Sequence, residues 1–99
     1  MIIETTHYHA LPGQADAVLA QRRLASAVRL RLGLPSGRIF TKLEGAGPAV
    51  RWECTFASRA AYDADMAARA ASPEFADARR AMHSLIERFE RHLEQPVDP

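Results

Sequence analysis

The chain has 99 residues, of which 47% are hydrophobic and 25% charged, and its formal net charge is +1. This length and composition predict one globular domain, which we assign to residues 1–95, with 96–99 as a C-terminal tail. The balanced charge argues against a nucleic-acid partner, since nucleic-acid binders carry a strong basic excess. Without a signal-peptide pattern or an apolar run of the roughly 20 residues that span a membrane, we expect a cytoplasmic protein with no membrane partner.

Residues 2–10 are predicted to form a strand, because they combine β-branched and aromatic residues and are followed by a Leu-Pro-Gly break. Side chains alternate between the two faces of a strand. The alternation divides this strand into one face with Ile3, Thr5, His7 and His9 and another with Ile2, Glu4, Thr6, Tyr8 and Ala10.

Residues 13–32 are predicted to form a helix that ends at Gly33, just before Pro35. Its apolar residues share one helical face, namely Val18, Ala25, Val28 and Leu32. The densest basic cluster of the sequence lies on the same helix, at Arg22, Arg23, Arg29 and Arg31. We expect this cluster to form a solvated face.

Residues 37–44 and 49–57 are predicted to form an antiparallel hairpin around a Gly/Pro turn at 45–48. The second strand has an apolar face with Val50, Trp52, Cys54 and Phe56 and a polar face with Arg51, Glu53 and Thr55. Cys54 is the only cysteine, so no intrachain disulfide can form, and we expect it to be an inert core residue.

Two helices are predicted next, one over residues 58–70 and one that begins at Ser72-Pro73-Glu74. The second is predicted to run to Gln95, because apolar residues continue at helical steps through Phe75, Ala78, Met82, Leu85, Phe89 and Leu93. The order β-α-β-β-α-α predicts an α+β, ferredoxin-like antiparallel sheet with its helices on one face. Too little chain then remains for a fourth strand, which we expect to be weak or absent.

Helices on one face of an antiparallel sheet leave the other face uncovered. We therefore predict a homodimer that forms through the sheet face. The alternative is an open sheet face in contact with water, which is common among antiparallel sheets.

Several short stretches resemble NIPSNAP-type domains of the dimeric α/β barrel superfamily. They are Ile2 to Tyr8 with the Pro12-Gly13 turn, Gly47 to Ser58, Ala61-Tyr62 and Ser72 to Phe75. The family pattern E-x-R-x-Y matches here at Glu4 and Tyr8, but Thr6 stands where the family usually has arginine. The resemblance implies a dimeric α/β barrel. That superfamily includes monooxygenases, haem-degrading enzymes, lactone isomerases and proteins of no known activity, so the resemblance does not select a reaction.

Glu4 and Tyr8 are the candidate catalytic residues, because a carboxylate and a phenol on one strand face can act as base and proton donor in a closed cavity. The alternative is a structural hydrogen bond. We predict a small-molecule ligand in a pocket between the sheet and the helices. Its candidate ligand-binding residues are Thr6, Trp52, Phe56, His7 and His9.

A metal site is not predicted. His7 and His9 share one strand face, which allows two ligands on one ion, and His83 is the candidate for a third, but the spacing of the sequence places no carboxylate beside them. We expect no cofactor. The predicted function is binding of a small apolar or aromatic ligand, with a cofactor-free monooxygenase or isomerase as the reaction class implied by the resemblance. The alternative is a non-catalytic accessory or stress-related protein that acts through its dimer surface.

Overall fold

The computed structural model describes residues 1–98, which form four strands and three helices. The elements in chain order are β1 (Ile2–Ala10), α1 (Ala15–Arg31), β2 (Arg38–Thr41), β3 (Val50–Phe56), α2 (Arg59–Ala70), α3 (Pro73–His83) and β4 (Ile86–Glu94). The last residue of the predicted 96–99 tail, Pro99, lies outside the described residues. No helix within residues 1–98 is long and apolar enough to cross a membrane.

The four strands form one antiparallel sheet in the order β2-β3-β1-β4. β1 is central and pairs with β3 from Ile2 opposite Phe56 to Tyr8 opposite Val50. The helices contact each other and one face of this sheet. This is the predicted α+β, ferredoxin-like architecture with helices on one face.

Two serines set the starts of the last two helices. The Ser58 hydroxyl accepts a hydrogen bond from the Ala61 amide, and the Ser72 hydroxyl accepts one from Phe75. Pro73 follows Ser72 at a position where its missing N–H costs nothing. Both predicted start signals are therefore confirmed.

The prediction for the end of the chain is wrong, because α3 stops at His83 and the following residues form a nine-residue strand. β4 pairs along β1, and its register shifts between His9 and Ala10. Ile86 lies opposite Ala10 and Phe89 lies opposite Tyr8, so the bulge places two residues three apart on the same face. Phe89 and Leu93 also share this face, opposite Tyr8 and Glu4, and their spacing of four residues fits a helical step as well as a strand.

The core lies between the sheet and the helices. Its buried residues come from β1, β3, α1, α2, α3 and β4, with Val18, Val50 and Trp52 almost completely inaccessible. The predicted apolar face of β3 is confirmed, since Val50, Trp52, Cys54 and Phe56 are all buried on it. The same face of β1 contributes Glu4, Thr6 and Tyr8, so polar groups enter the space between the sheet and the helices.

Candidate functional site

A cavity of about 550 Å³ lies between the sheet and the helices. Its inner end is lined by β1, β3 and α1, through Glu4, Thr6, Tyr8, Arg22, Arg29 and Trp52. Its apolar wall is formed by Ala25, Met66, Phe75, Ala78, Met82, Ile86 and Phe89. The volume falls within the range of roughly 300–1,000 Å³ that is typical of small-molecule pockets.

A buried ion-pair network closes one side of the cavity. Arg69 donates from Nη1 and Nη2 to the two carboxylate oxygens of Glu4, at 3.0 and 2.5 Å. The Nε of Arg69 donates to Oδ1 of Asp65 at 2.6 Å. Arg29 donates to both carboxylate oxygens of Asp65, at 3.1 and 2.7 Å. Two carboxylates therefore neutralise two guanidinium groups.

The network explains the charge state of Arg69. Burial alone disfavours the guanidinium cation, but hydrogen bonds and charge attraction from Glu4 and Asp65 outweigh that effect and raise the pKa of Arg69. The Glu4 side chain is only 1% exposed. Because both of its oxygens accept from Arg69, Glu4 is held as an ion-pair partner.

Trp52 lies at the centre of three arginines. The guanidinium carbons of Arg22, Arg29 and Arg69 lie 4.6, 4.8 and 5.9 Å from the centre of its ring. Its indole N–H donates to the Ser36 carbonyl at 2.9 Å, which fixes the orientation of the ring. We call Trp52 with these three residues the arginine–tryptophan cluster. A guanidinium cation is attracted electrostatically to the face of an aromatic ring at such distances.

Arg22 differs from the other members of the cluster. It is 4% exposed and donates to the Tyr8 hydroxyl at 3.1 Å and to the Ser26 hydroxyl at 3.3 Å. No carboxylate within residues 1–98 forms a salt bridge with it, and its buried Nε has no hydrogen-bond acceptor there. Burial lowers the pKa of Arg22; the interaction with Tyr8 opposes this effect, and the nearby Arg29 and Arg69 add to it.

The four arginines of α1 were predicted to form a solvated face. For Arg22 and Arg29 that prediction is wrong. Both side chains are buried, whereas Arg23 and Arg31 are exposed. The reason is their position on the helix. Arg22 and Arg29 are four residues beyond Val18 and Ala25, respectively, and therefore lie on the same inward face as those apolar residues.

The cavity brings together four of the predicted site residues: Glu4, Thr6, Tyr8 and Trp52. Phe56 lies on the same face of the sheet but packs edge-to-face against Tyr62, with ring centres 5.4 Å apart, and does not line the cavity. The catalytic and ligand-binding roles themselves stay predictions.

His7 and His9 lie on the opposite face of the sheet, as the alternation predicted. The Nε2 of His9 forms a hydrogen bond with Glu90 at 2.9 Å, and the ring of His7 packs against His92 at 5.4 Å between centres. His83 lines the cavity on the helix side of the sheet. The three histidines are therefore not brought together, and residues 1–98 hold no group of three or more metal-ligating side chains suited to an ion.

The sequence analysis did not single out Arg22, Arg29, Asp65 or Arg69 as site residues. A signal was present in each case. Asp65 and Arg69 are four residues apart on α2 and flank Met66, on the side of the helix that buries Tyr62. A charged pair next to an apolar helical stripe is typical of a buried polar network, and so is an arginine within such a stripe.

The fold and cavity can be compared with known proteins. No family model matches this sequence, and no curated protein matches it. A NIPSNAP domain protein from Burkholderia xenovorans superposes with a TM-score of 0.79 over 98% of this chain and 95% of its own, at 16% identity. An antibiotic biosynthesis monooxygenase superposes with a TM-score of 0.73 over 99% of this chain and 100% of its own, at 17% identity.

A third solved structure, a dimeric protein of unknown function and ferredoxin-like fold from Bacteroides fragilis, has a TM-score of 0.71 over 95% of this chain and 94% of its own, at 11% identity. The resemblance to NIPSNAP-type proteins and their superfamily is confirmed at the level of the fold. At these identities a shared fold does not transfer a ligand or a reaction.

Proposed function

We propose that this protein is a single-domain cytoplasmic homodimer, with residues 1–95 as the domain, that binds a small apolar or aromatic ligand between its sheet and its helices. The observation that carries the proposal is the cavity of about 550 Å³ beside Trp52. Apolar walls with a few converging polar groups are typical of small-molecule sites. Met82, Ile86 and Phe89 supply the wall, and Tyr8 and Arg22 supply the polar end.

For chemistry on the bound ligand, the proposal assigns proton transfer to Tyr8. Its hydroxyl oxygen accepts from Arg22, so the hydroxyl proton stays available for a ligand oxygen. Glu4 was the other predicted catalytic residue, and its two bonds to Arg69 favour a role in holding that arginine. A reaction without a cofactor, as in a monooxygenase or isomerase, would therefore use Tyr8 as its acid.

The dimer is proposed to form through the open face of the sheet. This face mixes both signs of charge on each half, with Arg38, Arg51 and Glu53 on β2 and β3 and Arg88, Glu90 and Glu94 on β4, so a second copy rotated by a half turn can bring opposite charges together. A solved structure with the same fold is dimeric. Native mass spectrometry tests this part directly: two chains are expected, and a single chain at micromolar concentration would rule it out.

The ligand site can be tested with the protein's own fluorescence, because Trp52 is its only tryptophan and lines the cavity. We expect phenyl-alkyl alcohols and acids to change Trp52 emission in a saturable way. Ala25→Leu adds a larger side chain to the cavity wall and should weaken binding about tenfold or more, since filling a pocket removes the space for the ligand. Ala20→Leu on the exposed side of the same helix is the matched control and should bind like the wild type.

The outcome separates the proposal from its alternative. Saturable binding that Ala25→Leu weakens and Ala20→Leu preserves would support a ligand site in the cavity. If no compound in the series binds, or if both variants bind like the wild type, the cavity is not the site. The accessory role through the dimer surface would then be the better account.

A further inference from the structure

We propose that the ligand carries a carboxylate, which forms an ion pair with Arg22 at the inner end of the cavity. This inference rests on the proposed ligand site and names the chemical class of its ligand. The ligand would be a small monocarboxylate with an apolar ring or chain.

The charge balance of the cavity is the first observation. Arg29 and Arg69 are neutralised by Asp65 and Glu4 through the hydrogen bonds described above. Arg22 remains as a buried cation that no carboxylate of residues 1–98 contacts within salt-bridge distance. An isolated buried charge is costly, and buried charges in proteins are normally paired.

The hydrogen-bond inventory of Arg22 is the second observation. A guanidinium group has five N–H donors, and only two acceptors within residues 1–98, the hydroxyls of Tyr8 and Ser26, contact this one. Its Nε is buried and without an acceptor. The group is therefore short of acceptors, and a carboxylate supplies two oxygens in the planar geometry that a guanidinium fork fits best.

The position of Arg22 gives the orientation of the ligand. Trp52 stacks against the guanidinium group and Tyr8 lies at hydrogen-bond distance from it, so both fix the charge at the inner end. The exposed Arg79 and Arg91 line the outer part of the cavity and add positive charge on the way in. A carboxylate drawn inward would accept from Arg22 and from the Tyr8 hydroxyl, and its apolar body would lie against Met82.

The test compares two probes of nearly the same size and shape, hydrocinnamate and hydrocinnamyl alcohol, by isothermal titration calorimetry at about pH 7.5, where the acid is ionised. The wild-type protein should bind the acid at least about tenfold more tightly than the alcohol, because hydrogen bonds between charged groups are roughly twice as strong as neutral ones. Arg22→Met should remove this preference, so that the variant still binds both probes and binds them with affinities within about threefold of each other. Arg23→Met, which removes the exposed neighbouring arginine, should leave both affinities unchanged.

Each outcome has a separate meaning. Retained alcohol binding by Arg22→Met shows that the variant cavity is intact, so a loss of acid binding alone supports the ion pair. Equal affinity of the wild type for both probes would overturn the carboxylate assignment and leave the ligand site standing. A preference that survives Arg22→Met would overturn the assignment to Arg22. If neither probe binds the wild type, the proposed ligand site fails and this inference fails with it.

Discussion

Arg69→Met is the most informative single change in the ion-pair network, since Arg69 joins its two carboxylates. The substitution keeps most of the side-chain volume but leaves Glu4 without either of its ion-pair hydrogen bonds and removes one from Asp65. The side chains of Glu4 and Asp65 are only 1% and 3% exposed, so both carboxylates are largely removed from water and depend on their ion-pair partners. Removing one partner of a buried ion pair costs about 3–5 kcal/mol, and we expect the free energy of unfolding to fall by that amount.

The matched control is Arg59→Met on the same helix. Arg59 pairs with Asp63 at 3.2 Å, but these side chains are 68% and 61% exposed. Exposed pairs contribute about 0.2–1 kcal/mol, so this variant should change the free energy of unfolding by less than about 1 kcal/mol. Urea unfolding followed by both Trp52 emission and far-ultraviolet circular dichroism measures the two variants under the same conditions.

A second substitution tests the cause of the loss. Adding Glu4→Gln to Arg69→Met removes the unpaired buried charge, so the double variant should regain about 1–3 kcal/mol relative to Arg69→Met alone. A loss of less than about 1 kcal/mol in Arg69→Met, or no recovery in the double variant, would refute the assignment of this network as a buried ion-pair system.

Gly37 has φ +70°, and a β-carbon there would lie against the Trp52 ring and 2.7 Å from a backbone oxygen. Gly37→Ala should therefore lower the free energy of unfolding in urea by about 2 kcal/mol or more. Gly45→Ala, at φ +89° with open space around the residue, should lower it by only about 1 kcal/mol. Burial and the nearby His92 lower the pKa of His7. The folded state therefore takes up this proton less readily than the unfolded state, so the free energy of unfolding should fall as the pH drops below about 6.5. His7→Gln should show a smaller fall. An equal or larger fall in the variant would contradict the assignment of this pH dependence to His7. Burial raises the pKa of the Cys54 thiol, so Ellman's reagent should modify it only as fast as the protein unfolds, and rapid labelling of the native protein would be inconsistent with the fold.

Local patterns were sufficient to predict much of the fold. The β-branched residues of β1, the serines before α2 and α3 and the alternation along β3 each report on structure within a few residues. The β4 strand depends on pairing with the central strand β1, more than seventy residues earlier in the chain, and on a bulge that no local rule signals. Tertiary pairing outweighed the helical spacing of Phe89 and Leu93.

The candidate site was predictable in part for a similar reason. Alternation along β1 was enough to place Glu4, Thr6 and Tyr8 on one face of that strand. Which face of β1 joins the Trp52 face of β3 depends on the pairing register, and the predicted ligand-binding residues also included His7 and His9 from the other face. The partner of Tyr8 is Arg22 on α1, and the partner of Glu4 is Arg69 on α2, which is 65 residues away in the sequence. Which of twelve arginines reaches which carboxylate depends on how the helices cross the sheet, and that information is not local in the sequence.

A crystal structure of the protein with hydrocinnamate tests the central claim most directly. The proposal predicts the carboxylate at about 2.7–2.9 Å from the nitrogens of Arg22, within reach of the Tyr8 hydroxyl, with the phenyl ring against Met82 and Ile86. An ordered ligand on the outer face of the sheet, or a cavity without ligand at a concentration that saturates the protein in solution, would contradict it.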